Sequence, residues 1–349
     1  MSIKDIKGKC AAEASDGVKV ADTNSNTEGR IIDISTRDGW TIKGTLFDHA
    51  DPKQTVLISP GTGIRQHRYF AFAQWLSTQG FAVLVIDYRG IGLSRPKRPL
   101  AKVEASLQDW ARSDMEAAYQ WLQSNYPGLP TSHVGHSAGA QTLGMMPSST
   151  KLHRIVQISA STANVRALKP KLRAQVRFLM GGYLPMAAKI LGFVPTKWLG
   201  WGEDLPKGVA RQMAKWSLKP GYVTNSFDDD VYLHYYDRVT APILSIVPTD
   251  DPLARPSSVD EILAIFSGAP HAKKAISPVD YGLKQIGHNG FFSPKASKLW
   301  PLAVEWLEKK CDPVQLQVSG RKVHRPSVQK AAAQSGAASG SILNASVAA

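Results

Sequence analysis

Three side chains far apart in the chain have the types and settings that nucleophilic acyl chemistry needs: Ser137, Asp251 and His288. A serine hydroxyl is a poor nucleophile near neutral pH. It becomes reactive when a neutral imidazole takes its proton and a carboxylate orients that imidazole. Ser137 lies in Gly135-His136-Ser137-Ala138-Gly139, a G-x-S-x-G run. The spacing has a steric reason. A serine on a very tight strand-to-helix turn needs small flanking residues, and the turn exposes its hydroxyl and aims helix amides at a reacting carbonyl. His288 sits in Gly287-His288-Asn289-Gly290-Phe291-Phe292, a loop before the last helix. Asp251 sits in Thr249-Asp250-Asp251-Pro252-Leu253-Ala254, after a buried strand. The chain order Ser, Asp, His is the one that suits such a turn. Asp250 is the alternative acid; whichever aspartate is not the acid is expected as a solvated turn residue or a helix cap.

Acyl transfer also needs donors for the oxyanion. One is expected from the amide of Ala138, directly after the nucleophile. The second is expected from Pro60-Gly61-Thr62-Gly63-Ile64, with Thr62 favoured and Ile64 its rival. That loop read as a dinucleotide site lacks the third glycine. His136 is read as structural. His133 and His136 form H-x-x-H, but neither a helix nor a third ligand accompanies them, so no metal and no cofactor is expected. Asp228-Asp229-Asp230 reads as a solvated loop rather than a cation site.

The elements that must hold these residues alternate along the chain. Ile31–Ser35 and Trp40–Phe47 read as strands joined at Arg37-Asp38-Gly39, and Thr55–Ser59 and Phe81–Ile86 as strands buried on both faces. Arg68–Gln79 and Ser106–Asn125 have helical spacing. A weak strand ends at His133–Gly135, a helix follows over Ala138–Met146, and Arg154–Ser159 is another strand. After an interruption come strand Ile243–Val247, helix Val259–Phe266, strand Ala272–Pro278 and helix Ala296–Lys309. Buried strands alternating with helices predict an α/β fold with a mostly parallel eight-stranded sheet, helices on both faces. Such a sheet places its chemistry at the carboxyl ends of its strands.

The chain has 349 residues, 43% apolar and 20% charged, an ordinary globular composition that excludes wholesale disorder. Two cysteines, Cys10 and Cys311, exclude a disulfide scaffold and are read as reduced. The net charge is +14 and is uneven: residues 163–220 carry eleven basic groups against Glu203 and Asp204. A segment of this kind is a solvated helical face or a surface for anions or membrane. No nucleic-acid motif accompanies it, so no nucleic-acid partner is expected. A signal peptide and a transmembrane run are not visible, and a cytoplasmic location is the expectation. Residues 1–29 read as a loose arm and residues 312–349 as a disordered tail.

The sequence resembles the α/β-hydrolase superfamily over about residues 30–310. The likeness rests on the elbow, on Asp87-Tyr88-Arg89-Gly90-Ile91-Gly92-Leu93-Ser94, on the acid turn and on the Gly287-His288 loop. It is nearest to predicted bacterial α/β-hydrolases of the serine aminopeptidase and monoglyceride-lipase-like branch, through Thr62-Gly63-Ile64, Tyr69-Phe70, Asp109-Trp110 and Gly202-Glu203-Asp204-Leu205-Pro206. It departs from the common pattern at Ser59-Pro60-Gly61, where many relatives have His-Gly. The resemblance implies that the Asp87–Ser94 run is structural. It also implies a core over 30–161 and 239–311 with a helical cap over 162–238. Within the cap, Val176–Pro195 is expected as two short helices, and Trp198, Trp201 and Trp216 as the cap's own core or the roof of an acyl pocket. The expected activity is serine hydrolysis of an ester-like bond in a small acyl substrate, lipid-like in one version, with the basic cap able to touch a membrane. Acyl transfer, peptide or thioester cleavage, or a silent binding protein are the alternatives.

Overall fold

A computed structural model describes residues 28–227 and 229–309. All of these fall in one unit, Met1–Leu316. Nearly all of the arm expected over 1–29, the tail expected over 312–349, Cys10, Cys311 and Asp228 lie outside the described residues. The strands are β1 (Arg30–Ser35), β2 (Thr41–Phe47), β3 (Gln54–Ser59), β4 (Phe81–Ile86), β5 (Thr131–His136), β6 (Ile155–Ile158), β7 (Phe193–Val194), β8 (Leu205–Pro206), β9 (Ile243–Pro248) and β10 (His271–Ile276). The helices are α1 (Phe70–Thr78), α2 (Leu107–Asp109), α3 (Glu116–Asn125), α4 (Ala138–Gln141), α5 (Pro170–Phe178), α6 (Leu184–Ile190), α7 (Lys207–Ser217), α8 (Pro256–Ile265) and α9 (Pro301–Leu307).

Eight strands make one sheet in the order β1-β2-β4-β3-β5-β6-β9-β10, in which β2 alone runs against the others. Every residue of β3, β4, β5 and β9 is buried, which is why these strands read as unbroken runs instead of alternating ones. The period of two survives in which face each side chain serves. Val56, Ile58, Val83 and Val85 pack on one side with Phe72 and Leu76 of α1 and Trp306 of α9. Leu57, Leu84 and Ile86 pack on the other with Leu107, Trp110, Met115 and Leu122, and with Ile262 of α8.

The helix expected over Ser106–Asn125 starts where Ser106 caps it: its Oγ accepts from Asp109 N, and Asp109 Oδ2 accepts from Ser106 N. It runs through a π-helical turn, Trp110–Met115, into α3. That wider turn carries Asp114, which accepts from the Arg89 backbone N (2.9 Å) and Nε (2.8 Å). The same guanidinium reaches Asp38 in the β1–β2 turn. Arg89 and Asp114 are fully buried, so the Asp87–Ser94 loop is bolted to the hairpin and to the helix.

The insertion differs from expectation over Val176–Pro195. Instead of two separate short helices, α5, a π turn over Leu179–Tyr183 and α6 form one continuous helical run. Gly181, Gly182 and Pro185 are the residues that suggest a break. Gly181 and Gly182 lie within the π turn, and Pro185 stands in the first turn of α6. Helix α7 packs against α6, with Trp216 fully buried and bonded to Ser226 Oγ (2.8 Å). Trp198 is 70% exposed. So of the three tryptophans only Trp216 is in the insertion's core. Asp229 and Asp230 accept from Lys215 Nζ. Among the described residues, no helix is long and apolar enough to cross a membrane.

Candidate active site

Ser137 follows β5 and immediately precedes α4, with φ 47° and ψ −114°. That conformation is costly for a residue with a Cβ and persists only where the surroundings force it. They do so by close approach. A Cβ at Gly135 would stand 2.6 Å from Ala140 Cα, and one at Gly139 would enter the Ser59 carbonyl. The two glycines let α4 pack directly on β5 and β3, and the strained serine is what remains at the turn. Its N–H donates to Ile158 O (3.0 Å).

His288 reaches the same point from the loop after β10. Its Nε2 lies 3.0 Å from Ser137 Oγ, and its Nδ1 lies 2.8 Å from Asp251 Oδ2. With Nδ1–H donating to Asp251, Nε2 is the ring nitrogen that accepts a hydrogen bond from the Ser137 hydroxyl. Asp251 is buried at the end of β9, and its other oxygen accepts from Leu253 N (2.8 Å) and Ala254 N (3.1 Å). Burial acts to raise this carboxyl, but the His288 contact and the two amides outweigh it and hold its pKa below the ordinary value. Asp250 is an exposed turn residue, as expected, and it also holds the loop of His288. Its carboxylate accepts from Ile286 N (2.9 Å) and Gly287 N (3.0 Å), directly before His288. Its partners lie some 36 residues away in the chain, and the local sequence carries no sign of them.

The amides of Ala138 and Thr62 donate to no group among the described residues, and both residues line or adjoin the space in front of Ser137. The Ile64 amide is spent on Gly61 O (3.1 Å). The loop's position is fixed from behind. Gly61 N donates to Tyr69 Oη (2.9 Å), which lies 2.8 Å from His136 Nδ1, and His136 Nε2 lies 2.9 Å from His288 O. Burial pushes the His136 imidazole down to about 3, so it is neutral at pH 7. One neutral assignment satisfies all three bonds: Tyr69 donates to Nδ1, and Nε2–H donates to the His288 carbonyl. His136 thus points away from Ser137 and joins two loops. His133, also pushed by burial to about 3, contacts Ser59 Oγ (2.9 Å) instead. Among the described residues, no group of three His, Cys, Asp or Glu could hold a metal. At the loop's far end, Asp87 accepts from Gln66 N (2.8 Å) and Gln66 Nε2 (3.0 Å).

A cavity of about 840 Å³ opens on Ser137 and His288. Its interior is apolar, with Leu168, Val176, Met180, Leu205 and Tyr222 from the insertion. The insertion is tied to the floor by Glu203, whose N–H donates to Gly63 O (2.7 Å) and whose carboxylate takes Arg65 Nε (2.7 Å). Trp201 lines the cavity, so it serves the roof.

Residues 50–201 match the family described as serine aminopeptidase, S33. That stretch includes Thr62, Ser137 and Ala138 and stops short of Asp251 and His288. The monoglyceride lipase homolog of Monkeypox virus is 26% identical over 190 residues, which is 53% of this chain and 56% of that protein. The chain therefore spans little more than half the length of that relative. Among solved structures, DcsB in complex with its substrate analogue superposes over 80% of this chain and 99% of its own, with TM-score 0.55 and 13% identity. GrgF, an α/β hydrolase from Penicillium sp. sh18, covers 80% and 98%, with TM-score 0.52 and 14% identity. The Pyrococcus furiosus esterase Pf2001 covers 80% and 92%, with TM-score 0.50 and 18% identity. At such identities the likeness is one of fold.

Proposed function

We propose that this chain, which belongs to the α/β-hydrolase superfamily, is a serine hydrolase that cleaves an ester-like acyl bond through Ser137, His288 and Asp251. The observation that carries the reading is the unbroken relay from Ser137 Oγ to His288 Nε2 and from His288 Nδ1 to Asp251 Oδ2, at 3.0 and 2.8 Å. Ser137 Oγ attacks the carbonyl carbon while His288 Nε2 takes its proton. Asp251 holds the ring in the working tautomer and stabilises the imidazolium. The Ala138 and Thr62 amides receive the developing oxyanion, each worth roughly 3 kcal/mol of barrier in favourable cases. The tetrahedral species collapses, the C–O bond breaks, and His288 hands its proton to the departing alcohol. Water, deprotonated by His288, then attacks the acyl-enzyme and frees Ser137.

The apolar interior of the cavity supports an acyl chain rather than a peptide as its occupant. An ester also suits the likeness to the viral monoglyceride lipase homolog. Hydrolysis of a panel of p-nitrophenyl esters tests the reading. Ser137→Ala is expected to lower kcat by about 10⁴-fold or more, with the fold retained by circular dichroism. Turnover within tenfold of wild type would remove Ser137 from the reaction.

A further inference from the structure

The cavity changes character along its length. Its interior walls, Val176, Met180 and Tyr222 among them, are buried and apolar. Its mouth is cationic: Arg65, Arg68 and Lys197 line it, and Glu203 is the single carboxylate among the described lining residues. Glu203 accepts from Arg65 Nε (2.7 Å) and lies 4.0 Å from Lys197 Nζ. It therefore balances one positive charge of the three. Arg68 has no carboxylate partner among the described residues. It stands on the 3₁₀ turn Gln66–Tyr69, a few residues beyond the Thr62 amide, while Lys197 faces the same opening from the insertion. The rim thus keeps two positive charges in excess: Arg68 faces it without a carboxylate, and Lys197 only shares, at 4.0 Å, the carboxylate that Arg65 holds.

We propose that the site selects acyl esters whose alcohol portion carries an anion, a phosphate or a carboxylate, with the acyl chain in the apolar interior and the anion held at the mouth by Arg68 and Lys197. This rests on the hydrolase reading and adds the substrate class to it. Arg68 suits either anion, since its guanidinium fork can bond two oxygens at once. Lys197 contributes a point charge. The leaving alcohol takes the His288 proton and departs through the mouth carrying its anion, so the cations touch the part of the substrate that is released. An apolar acyl chain gains nothing at such a rim, and a cationic alcohol is repelled by it.

Four octanoyl esters that differ in the charge of the alcohol test this: glycerol (neutral), glycerate (one negative charge), glycerol 3-phosphate (about two) and choline (positive). Hydrolysis is followed by chromatography of the released octanoate. At low ionic strength kcat/KM is expected to rise in the order choline, glycerol, glycerate, glycerol phosphate, with the phosphate ester at least about tenfold above the neutral one. The ratio shrinks toward one as salt is raised to about 0.5 M, where charges are screened within a few ångströms. In the double variant Arg68→Gln, Lys197→Gln the ratio of phosphate to neutral ester falls toward one, and Arg68→Glu, which leaves the rim with no net charge, lowers it likewise. Both side chains are exposed, so the fold is kept. Equal kcat/KM for charged and neutral esters in wild type, or an undiminished ratio in the double variant, overturns the proposal while leaving the hydrolase reading intact. If none of the four esters is cleaved, and a fluorophosphonate labels wild type and Ser137→Ala equally, the hydrolase reading falls and takes this proposal with it.

Discussion

Adjacent aspartates, Asp250 and Asp251, do different work because the backbone at the end of β9 sends them to different places. Asp251 turns inward to His288 Nδ1, and Asp250 turns to the amides of Ile286 and Gly287. One orients the imidazole; the other holds the chain that carries it. Asp251→Asn should therefore lower kcat by about 10⁴-fold, since an amide nitrogen facing Nδ1 favours the wrong tautomer. Asp250→Asn keeps one acceptor and loses another, a change of roughly 1 kcal/mol, so its loss should be about fivefold. Steady-state kinetics of the two variants on one ester separate them, and the reverse ranking would exchange their roles. The three proposed reacting residues and the two candidate amides stand out in the sequence because a G-x-S-x-G turn and a glycine-flanked histidine have local steric causes. The role of Asp250 cannot, because both of its partners are backbone atoms brought to it by the fold.

At the scale of elements, the site depends on joints between loops that no single element supplies. His136, the last residue of β5, links the Gly61–Ile64 loop, through Tyr69, to the loop of His288. It does so as a neutral ring whose folded pKa is about 3 against an ordinary 6.5. Below pH 6.5 the unfolded chain therefore takes up a proton that the folded chain refuses, and the stability owed to His136 is lost as pH falls. His136→Gln can still donate to the His288 carbonyl but does not titrate. The difference in unfolding free energy between wild type and this variant should shrink by about 1.4 kcal/mol per pH unit between pH 6.5 and 4. Urea unfolding at a series of pH values measures it; a difference independent of pH would mean that the buried ring accepts a proton. The strands and main helices are legible in the sequence to within a few residues, because continuous Val/Ile/Leu runs and 3.6-residue spacing follow directly from burial on two faces or one. The insertion is less so. Its helices are short and rich in glycine and charge, and the π turn that joins α5 to α6 is set by packing on α7 rather than by local preference.

Across the described body, the candidate reacting groups meet because four strands end at one edge. The loops after β3, β5, β9 and β10 bring Thr62, Ser137, Asp251 and His288 together, and the sheet order β4-β3-β5 puts the point where strand order reverses beside the nucleophile. Crossovers on either side of that reversal leave a crevice; the insertion after β6 roofs it with an apolar wall, and Lys197 of the insertion joins Arg65 and Arg68 at its cationic rim. The uneven charge of the chain, +14 overall with most of the excess within residues 163–220, belongs largely to this roof. Whether the edge holds a working nucleophile is tested most directly by mass spectrometry after treatment with a fluorophosphonate. A single covalent adduct on the peptide containing Ser137 is expected, absent from Ser137→Ala and formed far more slowly in His288→Ala. An adduct on another residue, or equal labelling of all three proteins, would contradict the assignment of Ser137 as the group that His288 activates.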